Sequence, residues 1–303
     1  MKNFTSIALL LLCTLTAGCQ NNHRAALNHE IQMHGLLAEG ATVQELASDF
    51  NFTEGPAADT QGNVYFTDIP NNRIHKFSID NKLSLFKDDT GGANGLYFDK
   101  NGNLLACAGG AGKLVRFDLH TKMTETLADK FNNKSFNSPN DLWPDHKGGI
   151  YFTDPRYGRD RNLPQDGEHV YYLPPDGKNI IRVVNDMVRP NGLIGTPDGN
   201  ILYITDNGAG KTWKYHINSD GSLTDKTLFA EVGSDGMTID ILGNVYLTTN
   251  SIEVYQPSGQ KLTNIPIPQR PTNVTFGGKN NDTLFITARK SLYAIKLRVT
   301  GAE

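Results

Sequence analysis

Six polar residues recur in this chain at positions that would let their side-chain oxygens converge: Glu54, Asn94, Asn140, Asn191, Asp235 and Asn273. A turn signal follows eight residues after each, at Gly62-Asn63, Gly102-Asn103, Gly148-Gly149, Gly199-Asn200, Gly243-Asn244 and Asn281-Asp282. All six side chains offer hard oxygen donors. His and Cys are missing from the set, which argues against a zinc site of the usual kind and for Ca²⁺, with Mg²⁺, Mn²⁺ or Zn²⁺ as substitutes. Glu54 and Asp235 would balance a divalent charge, Asn140 and Asn191 would add amide oxygens without excess charge, and Asn94 and Asn273 stand nearby as groups for a substrate. Taken alone, each Asn or Asp could simply start a strand by bonding its own backbone in a turn. Six at one position favour convergence, because Glu54 is among them and Glu has little turn preference.

The elements that must position these side chains are strands. After every turn comes an alternating apolar run, such as Val64-Tyr65-Phe66, Ile150-Tyr151-Phe152 or Leu284-Phe285-Ile286, so each copy reads as strand, tight turn, strand. The six starts lie 38 to 51 residues apart, close to the period of four-stranded propeller blades. The chain is therefore expected to be all-β, a six-bladed β-propeller over residues 42–303. A third and a fourth strand follow in each copy except the last, which lacks its fourth. Residues 42–47 precede Glu54 as the other fourth strands precede their starts, and are expected to pair with the last blade and close the ring; an open ring would expose a sheet edge.

Innermost strands line the channel, so their polar starts form a ring at one mouth, and antiparallel geometry returns the end of each second strand to the same face. There lie Asp68, Ala108, Asp154, Asp206, Thr249 and Ala288. The three aspartates are expected to tie the turn into the third strand, the alternative being a part in catalysis. The third blade carries an insertion, residues 155–169, which should rise on the ring face as a lid, a binding loop or surface decoration. Arg156 and Tyr157 within it are candidates for substrate contact.

At 303 residues, 38% hydrophobic and with a net charge of -3, the chain has no basic stripe of the kind nucleic acid requires. Residues 1–18 read as an export signal: Lys2 is the positive flank, 7–12 an apolar core too short to span a bilayer, and Ala17-Gly18 a small-residue cleavage site. Thr16-Ala17-Gly18-Cys19 resembles a bacterial lipobox, with Leu15 one residue earlier than that pattern prefers. Cys19 would then be lipidated, residues 19–41 would be a tether, and the protein would be a periplasmic or cell-surface lipoprotein touching the membrane only through its lipid. The alternative is an ordinary secretory signal with Cys19 as a free thiol. His23, His29 and His34 are irregularly spaced, which suits a solvated linker better than a metal tract. Cys107, the remaining cysteine of the domain, is expected to be a buried, inert thiol. No signal for an oligomeric state stands out.

Glu54-Gly55-Pro56, Asn94-Gly95-Leu96, Ser138-Pro139-Asn140-Asp141-Leu142, Tyr151-Phe152-Thr153-Asp154-Pro155, Asn191-Gly192-Leu193, Ser234-Asp235-Gly236-Met237 and Ile286-Thr287-Ala288-Arg289 resemble the gluconolactonase and senescence marker protein (regucalcin) family. The resemblance implies a six-bladed propeller that opens sugar lactones with a bound divalent metal. It places Glu54, Asn191 and Asp235 on the family's metal ligands, Asn140 on a residue that binds metal or substrate, and Asp235 also on the general base. Arg156 stands where the gluconolactonase branch often has Pro, which bears on the substrate. Arg189 and Arg270, just before ring residues, could bond sugar hydroxyls or a carboxylate, or be plain surface arginines. Gly-x-Ser-x-Gly is absent, so a nucleophile elbow is not expected. Two further readings stand beside the lactonase: a non-catalytic sugar- or protein-binding propeller with a structural metal, and a phosphotriesterase-like hydrolase.

Overall fold

The computed structural model describes residues 35–157 and 162–302. The export signal, Cys19 and the three tether histidines lie outside the described residues, as does part of the third-blade insertion. Six four-stranded antiparallel sheets form a closed six-bladed propeller, and a small hairpin, Lys130–Phe131 with Lys134–Ser135, sits between the second and third blades. Blade 1 is Thr53–Ala58, Val64–Asp68, Arg73–Phe77 and Leu83–Asp88, and the other blades repeat that order. The innermost strand is the first of each blade, because each packs against the first strands of its two neighbours around the axis. Blades 3 and 5 have short innermost strands, Leu142–Pro144 and Met237–Ile239, so Asn140 and Asp235 precede the strand rather than open it.

The ring closes as expected. Gln44–Ala47 pairs antiparallel with Ser291–Lys296, and the Tyr293 hydroxyl donates to the Glu45 carboxylate at 2.8 Å. Packing begins upstream of the closing strand: Leu36 is buried against the core of blades 5 and 6, and Leu37 bridges to Leu297. At the other end the tail crosses beneath blade 5, where Gly301 bridges to Asp240 and the Ala302 N–H donates to the Ile239 carbonyl.

The core lies between blades and explains the apolar runs. Val64, Phe66, Leu104, Phe152, Leu202, Val245 and Leu284 on the second strands are fully buried against neighbouring sheets. Each such side chain contributes about 1.5–3 kcal/mol. Just beyond these apolar runs, nearer the mouth, Thr67, Thr153, Thr205, Thr248 and Thr287 form a buried ring of hydroxyls, with Cys107 at the same place in blade 2. These hydroxyls stitch blades together. Thr67 donates to the Asn94 carbonyl, Thr205 to that of Ser234 and Thr248 to that of Thr272, each at the entrance of the next innermost strand. Cys107 is buried and its thiol is pushed up by that burial, as an inert core residue should be.

Two of the three aspartates tie the turn that leads into the third strand, Asp68 accepting from Asn71 Nδ2 at 2.7 Å and Asp206 from the Ala209 N–H at 3.1 Å, and all three also hold the chain on its way into the innermost strand. Asp68 accepts from the N–H groups of Asn51 and Phe52, Asp154 from Asn137 and Ser138, and Asp206 from Val188 and Arg189. In all three blades the carboxylate caps the two residues that lead into the innermost strand, where no ladder partner exists for those donors.

Candidate active site

The upper mouth of the channel is built by backbones that come unusually close. A Cβ on Gly55 would lie 2.1 Å from the Asn94 carbonyl oxygen, and one on Gly236 would lie 2.0 Å from the Asn273 side chain. Glycine after the ring residue therefore lets adjacent innermost strands converge until their polar starts share one small volume.

Glu54 is 5% exposed and Asn191 3%, whereas Asp235 is only half-buried at the mouth. Asn191 Nδ2 donates to Asp235 Oδ1 at 2.7 Å and to the Tyr157 hydroxyl at 2.7 Å. Both of its amide hydrogens are thus engaged, and Oδ1 is the atom left to face an ion or substrate. Glu54 Oε2 accepts from the Gly55 N–H at 3.0 Å. Asn273 donates to Asp141 Oδ2 at 3.4 Å across the channel and also bonds Glu54. Asn94 and Asn140 line the ring, but the bonds that hold them are backbone ones: the Asn94 carbonyl accepts from Thr67, and that of Asn140 from the Gly95 N–H at 2.8 Å.

Three carboxyls in or beside the ring are raised, as is Asp154 of the third blade, which burial lifts to about 7. Burial, then the charge of Asp235 and then that of Asp141, push Glu54 well above the usual carboxylate range. Burial raises Asp235 to about 6, against the Asn191 hydrogen bond and the charges of Arg270 and Arg289, which lower it. Burial likewise raises Asp141 to about 7. Like charges held out of water repel, and a cation between them is what would relieve the repulsion. Two carboxylates and an amide oxygen form a hard donor set that fits Ca²⁺ or Mg²⁺. Among the described residues no three His, Cys, Asp or Glu side chains converge closely enough to hold an ion, so amide oxygens would have to complete any coordination.

The inserted loop reaches the ring through Tyr157. Its hydroxyl meets Asn191, its ring lies under the Arg189 guanidinium at 5.3 Å, and burial pushes its phenol up. Arg189 is also held by Glu168, its Nε 3.3 Å from Oε2. Arg156 points elsewhere: its Nη1 donates to the Asn137 carbonyl at 3.0 Å, on the rim of a recess of about 340 Å³ beside Gly109 and Gly110. The returning limb is pinned by Gln165, whose Nε2 donates to the carbonyls of Lys134 and Ser135 at 2.9 Å. The structure therefore brings Glu54, Asn191, Asp235, Tyr157 and Asn273 together, with Arg189 behind Tyr157.

Asp141 is the site residue that reading the sequence missed. It occupies the place where blades 1, 2, 4 and 5 carry Gly55, Gly95, Gly192 and Gly236, and that departure was its signal.

Comparison with known proteins gives the family and the fold. The family profile described as SMP-30/Gluconolactonase/LRE-like region matches residues 52–290. A gluconolactonase of Zymomonas mobilis is 28% identical over 304 residues, covering 89% of this chain and 85% of that protein. The structure of a gluconolactonase from Xanthomonas campestris superposes with a TM-score of 0.81 at 30% identity, covering 86% of this chain and 91% of that one. A calcium-binding regucalcin from Agrobacterium tumefaciens shares the fold, with a TM-score of 0.73 at 17% identity. The match spans the innermost strands of all six blades and every ring residue, and the chain belongs to the SMP-30/gluconolactonase/LRE-like family.

Proposed function

We propose that the protein is a metal-dependent hydrolase that opens a sugar lactone at the upper mouth of its propeller. The observation that carries this reading is the buried Glu54 carboxyl beside the half-buried Asp235, with Asn191 bridging Asp235 to Tyr157. When bound among Glu54, Asn191 and Asp235, with Asn140 at the rim, a divalent cation, Ca²⁺ by donor type, would supply Lewis-acid polarisation of the lactone carbonyl. Calcium acidifies water weakly, so a protein base is still required. Asp235 suits that role, since it is half-buried at the mouth and burial raises its carboxyl above the usual carboxylate range in the metal-free protein. Water adds to the carbonyl carbon as Asp235 takes its proton; the ring C–O bond then breaks and the departing oxygen takes that proton back from Asp235, giving the open hydroxy acid. Tyr157, Arg189, Asn94 and Asn273 would orient ring hydroxyls, and Arg156 would act from the neighbouring recess.

The gluconolactonase names of the Zymomonas and Xanthomonas relatives support the reaction class. We further propose that Cys19 is lipidated after export, so that the domain works outside the cytoplasm on a tether. Proton release from a panel of aldonolactones, with and without a chelator, tests the reaction. Chelator-sensitive turnover of at least one is expected; absence of turnover on every lactone with Ca²⁺ present refutes it.

A further inference from the structure

A second cavity, of about 1000 Å³, opens at the other end of the channel. Its inner wall is made by the far ends of innermost strands, at Ala58, Phe98, Ile239 and Phe276. The strand from Glu54 to Ala58 spans about 13 Å at the usual rise, so this space is separate from the carboxylate ring.

Its charge is unbalanced. Lys76, Lys100, Lys122 and Lys279 line it, against Asp59 and Asp99. Those carboxylates are already committed to their own turns: Asp59 accepts from the N–H groups of Gln61 and Asn63, and Asp99 from those of Asn101 and Asn103. Lys76 comes no closer than 3.9 Å to Asp59, and among the described residues Lys122 has no acidic partner. Instead the ammonium groups rest on rings, Lys122 3.5 Å above the centre of Phe86 and Lys76 5.1 Å from that of Tyr65. Lys87 stands behind them, its Nζ donating to the Lys122 carbonyl at 3.2 Å. Partial burial and the charges of Lys76 and Lys87 push the Lys122 ammonium down, the mark of cations gathered without an anion. The wall has lysine but no arginine, which suits a compact, multiply charged anion rather than the planar fork of a carboxylate. Around the cations, Phe98, Leu119 and Phe276 offer an apolar surface in a volume typical of small-molecule sites.

We propose that this lower mouth is a second binding site, for a phosphate-bearing ligand whose phosphate is held between Lys76 and Lys122 and whose body lies against Phe98 and Phe276. A free sugar phosphate and a phospholipid headgroup share this chemistry. The second source arises because the chain enters the propeller on this face: Leu37 pairs with Leu297, whose N–H donates to the carbonyl of Asp282 in the lower turn of blade 6.

Calorimetric titration of the metal-free full chain with glucose 6-phosphate at low ionic strength tests the first source. Co-sedimentation of the Cys19→Ser protein with phosphatidylcholine vesicles, with and without phosphatidylglycerol, tests the second. Saturable binding of glucose 6-phosphate, weakened at least tenfold in Lys76→Met/Lys122→Met with lactone turnover unchanged, supports a soluble ligand. Lysine-dependent binding only to phosphatidylglycerol vesicles supports a headgroup. Lys76→Arg/Lys122→Arg, which keeps the charges, should retain most of the binding in either arm. No binding in both arms, or binding that the methionine variant retains, overturns the proposal.

Discussion

Asp141→Asn should stabilise the metal-free protein, and increasingly so as pH rises. The Asp141 carboxyl lies 7% exposed in the channel and burial raises it from 3.8 to about 7. A carboxyl raised in the folded state binds its proton more tightly there than in the unfolded chain. Its contribution is therefore fully present below about pH 4 and is lost as pH climbs to about 7, where the folded protein must ionise a buried group. A shift of that size corresponds to about 4 kcal/mol in full, of which roughly 2–3 kcal/mol falls between pH 5 and pH 8. Asparagine is nearly isosteric, but its single amide oxygen can accept from the Leu142 N–H or from Asn273 Nδ2 and not from both, so the substitution removes the charge at the cost of one hydrogen bond that is the same at every pH. Relaxation around the ionised group and the lost hydrogen bond trim the gain, so about 1 kcal/mol of extra stability is expected at pH 8. Urea unfolding of both proteins in chelator, at pH 5 and pH 8, measures it. A difference between the two proteins that is the same at both pH values would refute the reasoning, because no titrating buried charge would then be involved.

Glu54→Gln and Asp235→Asn should each weaken Ca²⁺ binding at least tenfold, since each removes one of the two negative charges proposed to face the ion; unchanged calorimetric affinity in both variants would refute the ion site. Gly236→Ala should cost about 2 kcal/mol or more of stability, because its Cβ would meet the Asn273 side chain at 2.0 Å; a melting temperature equal to that of the parent would show that the ring is looser than described. Cys19→Ser in the Lys76→Met/Lys122→Met background should leave the protein in the soluble fraction with its lactone turnover intact, as lipidation would touch only the tether; a variant that still sediments with membranes would count against the lipobox.

Most of the fold was legible because a propeller repeats. The spacing of Glu54, Asn94, Asn140, Asn191, Asp235 and Asn273 fixed the number of blades, and the missing fourth strand of the last blade pointed upstream to the strand that closes the ring. Small-residue positions were harder to interpret, because the reason for Gly55 or Gly236 is a neighbouring backbone that is far away in sequence. The inserted loop could be seen as an insertion. That Tyr157 rather than Arg156 would reach the ring depended on where its two limbs are pinned, by Asn191 at one and by the Lys134 and Ser135 carbonyls at the other.

The aspartates show why repetition alone does not reveal chemistry. Asp68, Asp154 and Asp206 recur at one place and face the upper mouth, yet each spends its carboxylate on the two backbone donors that lead into the innermost strand and, in blades 1 and 4, on the turn that follows. Asp141 does not recur. It stands where four other blades carry glycine, it is buried, and no backbone pair consumes it: one oxygen accepts from the Leu142 N–H and the other from Asn273 in the opposite blade. The difference is geometric. An axial site has room for one or two side chains from any layer of the channel, so six equal carboxylates there would repel one another, whereas a scaffold interaction between blades is needed six times over. Positions that keep the repeat, such as the threonine ring, therefore serve the scaffold, and positions in the channel wall that break it are where a site should be sought. By that rule the unequal ring of Glu54, Asn191, Asp235 and Asn273, together with Asp141, is the asymmetric centre of an otherwise symmetric frame.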